Sequence, residues 1–592
     1  LPVHAAPVSL NPADLLNRRF RFLVGWERTL LSAGVLLNAD GTVSGYDHPN
    51  ERSWRLEGNR LALCHESGRP SCIFDRVATV GGGLAFVGKF LLIEDGGPHY
   101  LEEVVSAGDR PEVNSFDLFD TLVARRCGTG QAIFEAVGRQ ARIDGFGAIR
   151  WAAEAPLVGQ EYTLDDVYRL MAEQTGWPAA RIDMLRLLEL AEEWDNIYPI
   201  RETLALVAPG DLIVSDMYLP REFIAKLVAV KCGLPEHPIF LSAGGKRLGH
   251  AWPHLEKSYA IRLHHGDNFH SDVQSARKFG VPARHIVVSD RTASETMLAD
   301  AGLVGLSECV RETRLGSFHA DPLSRRRQLL QLEVNIPLQI LAGFDLLRVA
   351  RATHSDCLLM CSRDTHLWVR LMRALAQRIA PEITVAYFRS SRLLNLNAAP
   401  DYLAYYHRLR GERSVIVDVS GTGRTMAHLI ARSETADVTS GYLLCRGDLV
   451  SGLMEGLAPE QPDVTIAAFM DQHPGYDRWR VEAMNLSMER SAQALRYHHG
   501  EVQTVELDQE ITDERALHVG LMRSTYLHFM RVLHRTRPRL AAGLPHGPAL
   551  LSSARQVLKQ AELFDDVLGP LIDSLVASEQ TTADLIAARA PA

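Results

Sequence analysis

Twice along this chain, short apolar runs alternate with helical stretches, and that repetition constrains the fold more than any other feature. Between Pro209 and Ser289 the runs are "GDLIVSDMY", "HPIFLSAGG", "IRLHHGDN" and "ARHIVVSD". From near Val334 a second series begins: "DCLLMCSRD", "EITVAYFRSSR", "RSVIVDVSGTGRT" and "VTSGYLLCRGD", each beside a helix-like segment. Runs of this length separated by helices build parallel sheets with crossover helices. Two series imply two separate α/β units, and the basic, helical "LSRRRQLLQLE" around Arg325 to Glu333 is expected to connect them.

The remaining sequence divides around these series. At 592 residues and 46% apolar composition the chain is too long for one core, and three or four domains are expected. From about Leu15 to Val105, apolar segments broken by "NADG", "EGN" and "ESGRP" describe a small antiparallel sheet or barrel. Arg125 to Ala208 reads as a helical insert, with Thr163 as N-cap of "TLDDVYRLMAEQTG". Beyond Gly475 the chain reads as amphipathic helices without obvious chemistry, and its tail "TTADLIAARAPA" is expected to fray. The expected fold class is therefore multidomain α/β: a β domain over 1–108, an α/β domain with a helical cap over 109–310, a second α/β domain over 311–475, and a helical region over 476–592.

Charge and cysteine usage exclude some functions. A net charge of −9 argues against nucleic acid as the main partner, while leaving room for a local basic pocket. Eight scattered cysteines lack paired metal-ligand spacing and read as buried free thiols of a reducing cytosol. The best candidate for a membrane span, "VNIPLQILAGFDLLRVA", is interrupted by Asp345 and carries a helical stripe. The first residues, "LPVHAAPVSL", lack the charged start and apolar core of a signal peptide, so export is not indicated and a cytoplasmic location is expected.

The ends of the first series offer Asp117, Ser215, Lys246, Asp267 and Asp272, which one parallel sheet would gather along its carboxyl edge. A carboxylate nucleophile, a hydroxyl, an ammonium and two further acids form an apparatus for attacking a phosphoryl group beside Mg²⁺. Taken singly, Asp117 also reads as a helix N-cap and Lys246 as a solvated loop charge. Together, "FDLFDTL", "IVSDMYLP", "SAGGKRLG" and "HHGDNFHSD" resemble the four motifs of the haloacid dehalogenase-like (HAD) superfamily, over about residues 111 to 290. The resemblance implies Asp117 as the nucleophile forming an aspartyl-phosphate, Ser215 bonding the transferred phosphoryl, and Lys246 neutralising charge. It implies that Asp267, with Asp272 nearby, holds Mg²⁺ alongside Asp117 and the Phe119 carbonyl, under a helical cap. One departure stands out: Phe119 occupies the position where the family carries the proton-donating acid. Asp120 either takes that role or caps the turn.

In the second series, "VIVDVSGTGRTMAHL" runs from a buried strand through a Gly-rich turn into a helix. Backbone amides from Gly421 to Thr425, including Gly423 and Arg424, and the hydroxyls of Ser420, Thr422 and Thr425 suit one phosphate, while Asp418 suits sugar hydroxyls. The GK[ST] ending of a Walker loop is absent. The stretch resembles the phosphoribosyl diphosphate (PRPP) loop of type I phosphoribosyltransferases, with Val417 in place of the first acid of the usual pair. Upstream, "LLMCSRDTHLWVRLMRAL" resembles that family's pyrophosphate-holding segment. Arg363 and Asp364 are its loop candidates, and Arg389 and Arg392 of "YFRSSR" are further diphosphate candidates.

A PRPP-binding module and a phosphatase in one chain resemble the bifunctional ribofuranosyltransferases of bacterial surface-polysaccharide assembly, O antigen or capsule. The resemblance implies transfer of ribose 5-phosphate from PRPP to a glycan acceptor, lipid-linked or growing, followed by removal of the 5-phosphate, with Mg²⁺ at both sites. A single-function HAD phosphatase of a sugar phosphate or nucleotide, with a degenerate PRPP-binding regulatory domain, is the alternative. Trp26, Tyr46 and Trp54 are candidates for sugar stacking or for a barrel core. His264, His265 and His270 read as supporting or solvated residues.

Overall fold

The computed structural model describes residues 10–25, 29–80, 83–93, 97–104, 110–447, 460–471, 478–498, 501–508, 511–538, 545 and 547–587. It is mixed α/β, with several parallel strand pairings, and divides into two compact units, Leu1–Asp290 and Arg291–Ala592.

The first unit begins with eight strands: β1 (Arg19–Val24), β2 (Thr29–Leu37), β3 (Val43–Ser44), β4 (Ser53–Glu57), β5 (Arg60–Cys64), β6 (Pro70–Val80), β7 (Gly83–Phe90) and β8 (Pro98–Glu103). Their order is β3-β2-β1-β8-β7-β6-β5-β4, antiparallel where neighbours pair. The two ends of this order meet: Thr42 bridges Ser53, and the Trp54 N–H donates to the Gly41 carbonyl at 2.8 Å. Closure into a barrel removes the exposed edges that an open sheet would present. Alternation along the strands turns Phe20, Phe22, Phe74 and Phe86 inward, where they meet edge to face. Trp54 is 9% exposed and its indole N–H donates to the Asn38 carbonyl, while Tyr46 packs edge-on against Phe22. Both aromatics belong to the barrel core; Trp26 lies outside the described residues.

The chain then builds β9 (Glu112–Phe116), β10 (Val123–Arg125), β11 (Ile197–Pro199), β12 (Leu212–Ser215), β13 (Ile239–Leu241), β14 (Ala260–Gly266) and β15 (Ala283–His285). Five of these form a parallel sheet in the order β13-β12-β9-β14-β15. The order reverses between β9 and β14, which opens a crevice at their carboxyl ends. The other two, β10 and β11, pair as a short antiparallel ribbon where the helical insert leaves and rejoins the sheet. The insert holds four helices, Gly130–Ala141, Phe146–Glu154, Leu164–Thr175 and Ala179–Asn196, within the expected span of 125 to 208. Thr163 caps the third in a reciprocal capping box with Asp166. Ile133, Phe134, Val137, Met171 and Leu185 bury the apolar stripes against one another. Among them sits Arg150, fully buried, bonded through Nε and Nη2 to Glu189 at 2.7 and 2.8 Å and through Nη1 to Glu154 at 2.7 Å.

The second unit contains β16 (Cys357–Cys361), β17 (Thr384–Phe388), β18 (Ser414–Gly421), β19 (Thr439–Arg446) and β20 (Ile466–Met470), all parallel, in the order β17-β16-β18-β19-β20. Here the order reverses between β16 and β18. The apolar segment noted as the best membrane-span candidate forms the helix Ile336–Ala352, which is apolar nearly all round because it is buried inside this unit. No helix among the described residues is long and apolar enough to cross a membrane.

Two expected boundaries move. Helices Ala293–Asp300 and Val304–Leu315 belong to the second unit, not to the first α/β domain as far as residue 310, because Leu298, Leu306 and Val310 bury into the second core. The region after residue 476 is not a separate helical domain. Its helices Asp513–Thr536 and Gly547–Lys559 place Tyr526, Phe529 and Leu550 in that same core, and it contributes a hairpin, β21 (Ala492–His498) and β22 (Glu501–Glu506).

Candidate functional site

In the first unit, the Asp117 N–H donates to the His265 carbonyl at 2.8 Å, which fixes the residue at the carboxyl end of β9, one strand from β14. Lys246 reaches the same point from the turn after β13 and is 2% exposed. Its Nζ donates to Asp117 Oδ1 at 2.5 Å and to Asp272 Oδ1 at 2.6 Å. The lysine is aimed by Asp216, whose carboxylate accepts the Lys246 and Arg247 backbone N–H groups. Behind Asp272, His264 bridges Asp272 Oδ1 and Ser115 Oγ at 3.3 and 2.8 Å, and the Asn268 N–H donates to Asp272 Oδ2 at 3.0 Å. Gly266 makes this approach possible, since a Cβ there would lie 2.4 Å from the Asp272 side chain.

Asp117, Asp267 and Asp272 each offer a carboxylate oxygen within 4.8 Å of the others. Three hard oxygen donors at that separation fit a divalent cation such as Mg²⁺. Thr121 Oγ1 donates to Asp267 at 3.3 Å. Burial, with Asp272 and Asp267 alongside, pushes the Asp117 carboxyl well up despite Lys246. Lys246 remains protonated, because Asp117 and Asp272 outweigh its burial. The Ser215 hydroxyl, at the end of β12, is buried and makes no hydrogen bond among the described residues. An unsatisfied buried hydroxyl is costly, which leaves this one as an open donor at the end of β12.

The residues around Phe119 explain its presence. Its ring lies 4.3 Å from the Arg125 guanidinium, and Arg125 is paired with Glu193 of the insert at 2.7 Å. Phe119 thus packs where the insert joins the sheet. Asp120 follows in a left-handed conformation, φ +55°, and its N–H donates to the Val123 carbonyl at 2.6 Å. Burial first, then the charges of Asp120 and Asp272, raise Asp267 to about 6. Asp120 therefore closes the turn through its backbone and adds negative charge to the crevice. Of the three histidines, His264 supports Asp272, His265 stacks on Phe116, and His270 is exposed beside Gln274.

The second unit holds a polar cavity of about 120 Å³ at the reversal between β16 and β18. Arg363, Asp364, Arg392, Asp418, Ser420, Gly421, Gly423 and Thr425, all singled out from sequence, line it. Gly421 and Gly423 take φ of +139° and +83°, which a side chain would disfavour, and Gly423 leads into the helix Arg424–Arg432 without a side-chain cap. Of the first-turn amides of that helix, Arg424 N–H donates to Thr422 Oγ1, and those of Thr425 and Met426 have no side-chain cap among the described residues. Arg363 is also left-handed, φ +74°, and its N–H donates to the Tyr387 hydroxyl at 3.0 Å. Three sequence candidates lie elsewhere. Arg389 is exposed and bonds Thr504, Arg424 pairs with Glu460, and Thr422 Oγ1 accepts the Arg424 N–H beside the cavity.

The cavity also contains residues that sequence reading passed over. Glu482 accepts the Ser420 hydroxyl at 2.5 Å and lies 3.8 Å from Arg392. Glu579 receives Arg392 and Arg478 at 2.7 and 2.8 Å. Arg515 donates to the Ser487 carbonyl at 2.7 Å, and burial together with Arg363 lowers its pKa. All three come from the C-terminal helices. Burial and the neighbouring Asp364 raise Asp418 to about 8, and burial raises Asp364 to about 6.

No family model matches this chain, and no curated protein matches its sequence.

Proposed function

We propose that this chain is a bifunctional ribofuranosyltransferase, which transfers ribose 5-phosphate from PRPP to a glycan acceptor and then removes the 5-phosphate. The observation that carries this reading is the gathering of two motif sets at two separate sheet reversals, Asp117, Ser215 and Lys246 at one and Arg363, Arg392, Asp418 and the Gly421–Thr425 turn at the other. Neither chemistry alone calls for both.

In the phosphatase half, the Asp117 carboxylate attacks phosphorus as the P–O bond to ribose breaks and the ribose oxygen takes up a proton; water then hydrolyses the aspartyl-phosphate to phosphate and the free carboxylate. Ser215 Oγ donates to a phosphoryl oxygen, and Lys246 balances the charge that develops on it. Asp117, Asp267 and Asp272 would hold a divalent cation such as Mg²⁺, which would supply positive charge to offset the negative charge of the phosphate. With Phe119 in the usual acid's place, Asp120, whose charge acts on Asp267, is the acid assigned to proton transfer. In the transferase half, the amides after Gly421 and the Thr425 hydroxyl hold the 5-phosphate, Arg363 and Arg392 face the diphosphate, and Asp418 orients ribose hydroxyls.

Incubating the full chain with Mg²⁺, PRPP and a glycan acceptor tests the reading. Asp117→Asn should accumulate a phosphoribosylated acceptor where the natural chain yields the ribosylated one. Absence of PRPP binding or consumption with every acceptor sinks it. One observation favours the alternative of a phosphatase with a regulatory PRPP-like domain. Arg392 is already paired with Glu579, and Ser420 with Glu482. On that alternative PRPP alters phosphate release but is itself unchanged.

A further inference from the structure

The helices Trp368–Ile379 and Asp513–Thr536 begin beside the polar cavity, where Arg363, Asp364 and Arg515 lie, and continue away from it. Farther along they enclose a groove of about 690 Å³, joined at Ala374, Gln377 and His534 by a second hollow of about 390 Å³. Ser524 to His534, which line the groove, lie nine to nineteen residues beyond Arg515 on the same helix, so the groove runs from roughly 14 to roughly 29 Å along the axis from that residue.

Its lining is segregated in a way that a chain of net charge −9 does not produce by default. Arg370, Arg373 and Arg531 line the larger hollow and Arg378 and Arg537 the smaller, and among the described residues no carboxylate lines either. Residues 366–380 and 515–538 together carry eight arginines, three and five, without an Asp or Glu. Arg373 and Arg378 are held by the carbonyls of Val385 and Leu533, which orient a guanidinium without neutralising it. The floor between them is apolar, formed by Ala374, Leu527 and Met530.

From this arrangement we infer a second binding site, for an amphiphile with a phosphate or diphosphate head and an apolar chain. Guanidinium forks match phosphate oxygens bidentately, and the apolar floor takes up hydrocarbon that a free phosphate lacks. The concave form suits one molecule in the groove rather than a flat bilayer laid across it. The inference rests on the proposed transferase reading only for its use: an acceptor anchored here by a phosphate-linked apolar chain would extend its glycan toward the cavity.

Titration of the full chain with farnesyl diphosphate, inorganic pyrophosphate and farnesol tests the site. Farnesyl diphosphate should bind, with both fragments weaker by about tenfold or more. Arg373→Glu with Arg531→Glu should weaken it by at least about tenfold, and the Gln pair by less; both residues are exposed, so the fold should be kept. Unchanged binding to the Glu pair overturns the site. Pyrophosphate binding as tightly as farnesyl diphosphate removes the apolar component and overturns the amphiphile. Capture on phosphatidylglycerol-containing vesicles that farnesyl diphosphate does not compete away reassigns the face to a bilayer. PRPP titrated separately keeps the readings apart: PRPP bound without farnesyl diphosphate sinks only this inference, and the converse sinks only the transferase.

Discussion

Single atoms decide most of the chemistry at the first site. Among the described residues, Ser215 Oγ and His265 Nδ1 are buried polar atoms there without a hydrogen bond, so the fold bears a cost that a bound phosphoryl oxygen on Ser215 would relieve. Ser215→Ala should leave thermal stability unchanged or slightly higher while slowing phosphate release roughly 10²-fold, the effect of losing one oxyanion donor; release at the natural rate would return Ser215 to a purely structural role. Asp120→Asn separates two functions in the same way. Slower release at unchanged stability assigns it to proton transfer, whereas unaltered release leaves it as a turn residue. At the second site the informative residue is Asp418, raised to about 8 by burial and by Asp364. Its neutral form prevails below that value, so raising pH adds a negative charge beside the Gly421–Thr425 turn. Metal-free PRPP binding should therefore weaken between about pH 7 and 9, and Asp418→Asn should flatten the profile. The sign for stability is the same: a carboxyl raised on folding destabilises the folded state progressively as pH climbs from the ordinary carboxylate value toward about 8, and the loss is complete above it.

Elements determine how these atoms are held, and they differ in how plainly the sequence announces them. The four-helix insert is organised round Arg150, whose guanidinium satisfies Glu189 and Glu154 and lies 4.5 Å from the Phe134 ring centroid. Arg150→Leu would strand two buried carboxylates, and about 3–5 kcal/mol of stability should be lost in chemical denaturation; a loss under 1 kcal/mol would show that water reaches them. Strands β9, β12 and β14 were legible because each apolar run ends in a residue whose chemistry only a sheet edge explains, and Thr163 because a cap is local. Glu482, Arg515 and Glu579 were not legible. They lie on helices with ordinary amphipathic patterns, and only packing of segments 62 to 187 residues away brings them beside Ser420 and Arg392. The hairpin β21–β22 escaped for a related reason: "AQALRYH" mixes polar and apolar positions too loosely to be told from a helix. Phe119 was legible as a departure, but its packing with Arg125 and Glu193 depends on the insert folding back.

At the scale of the molecule, each unit has its own apolar core and its own crevice at a strand-order reversal. That arrangement makes the two proposed reactions chemically separable. Arg392→Ala with Asp418→Asn removes one cation and one carboxylate from the second cavity and touches nothing in the first. The double variant should lose PRPP consumption by about 10²-fold, since the charge-assisted hydrogen bond of Arg392 accounts for about 1.5–3 kcal/mol and the ribose contact of a neutral Asp418 for about 0.5–1.5 kcal/mol. It should still dephosphorylate an acceptor that already carries ribose 5-phosphate, at the natural rate. Asp117→Asn should do the reverse, making the phosphorylated product and leaving it. Mixing the two variants with PRPP and acceptor should then restore the ribosylated product if the intermediate is released. Complementation would place the order of reaction as transfer first and hydrolysis second. Free ribose 5-phosphate formed from PRPP by the natural chain, with no ribosylated acceptor, would break that order and leave a phosphatase answering to a PRPP-like signal.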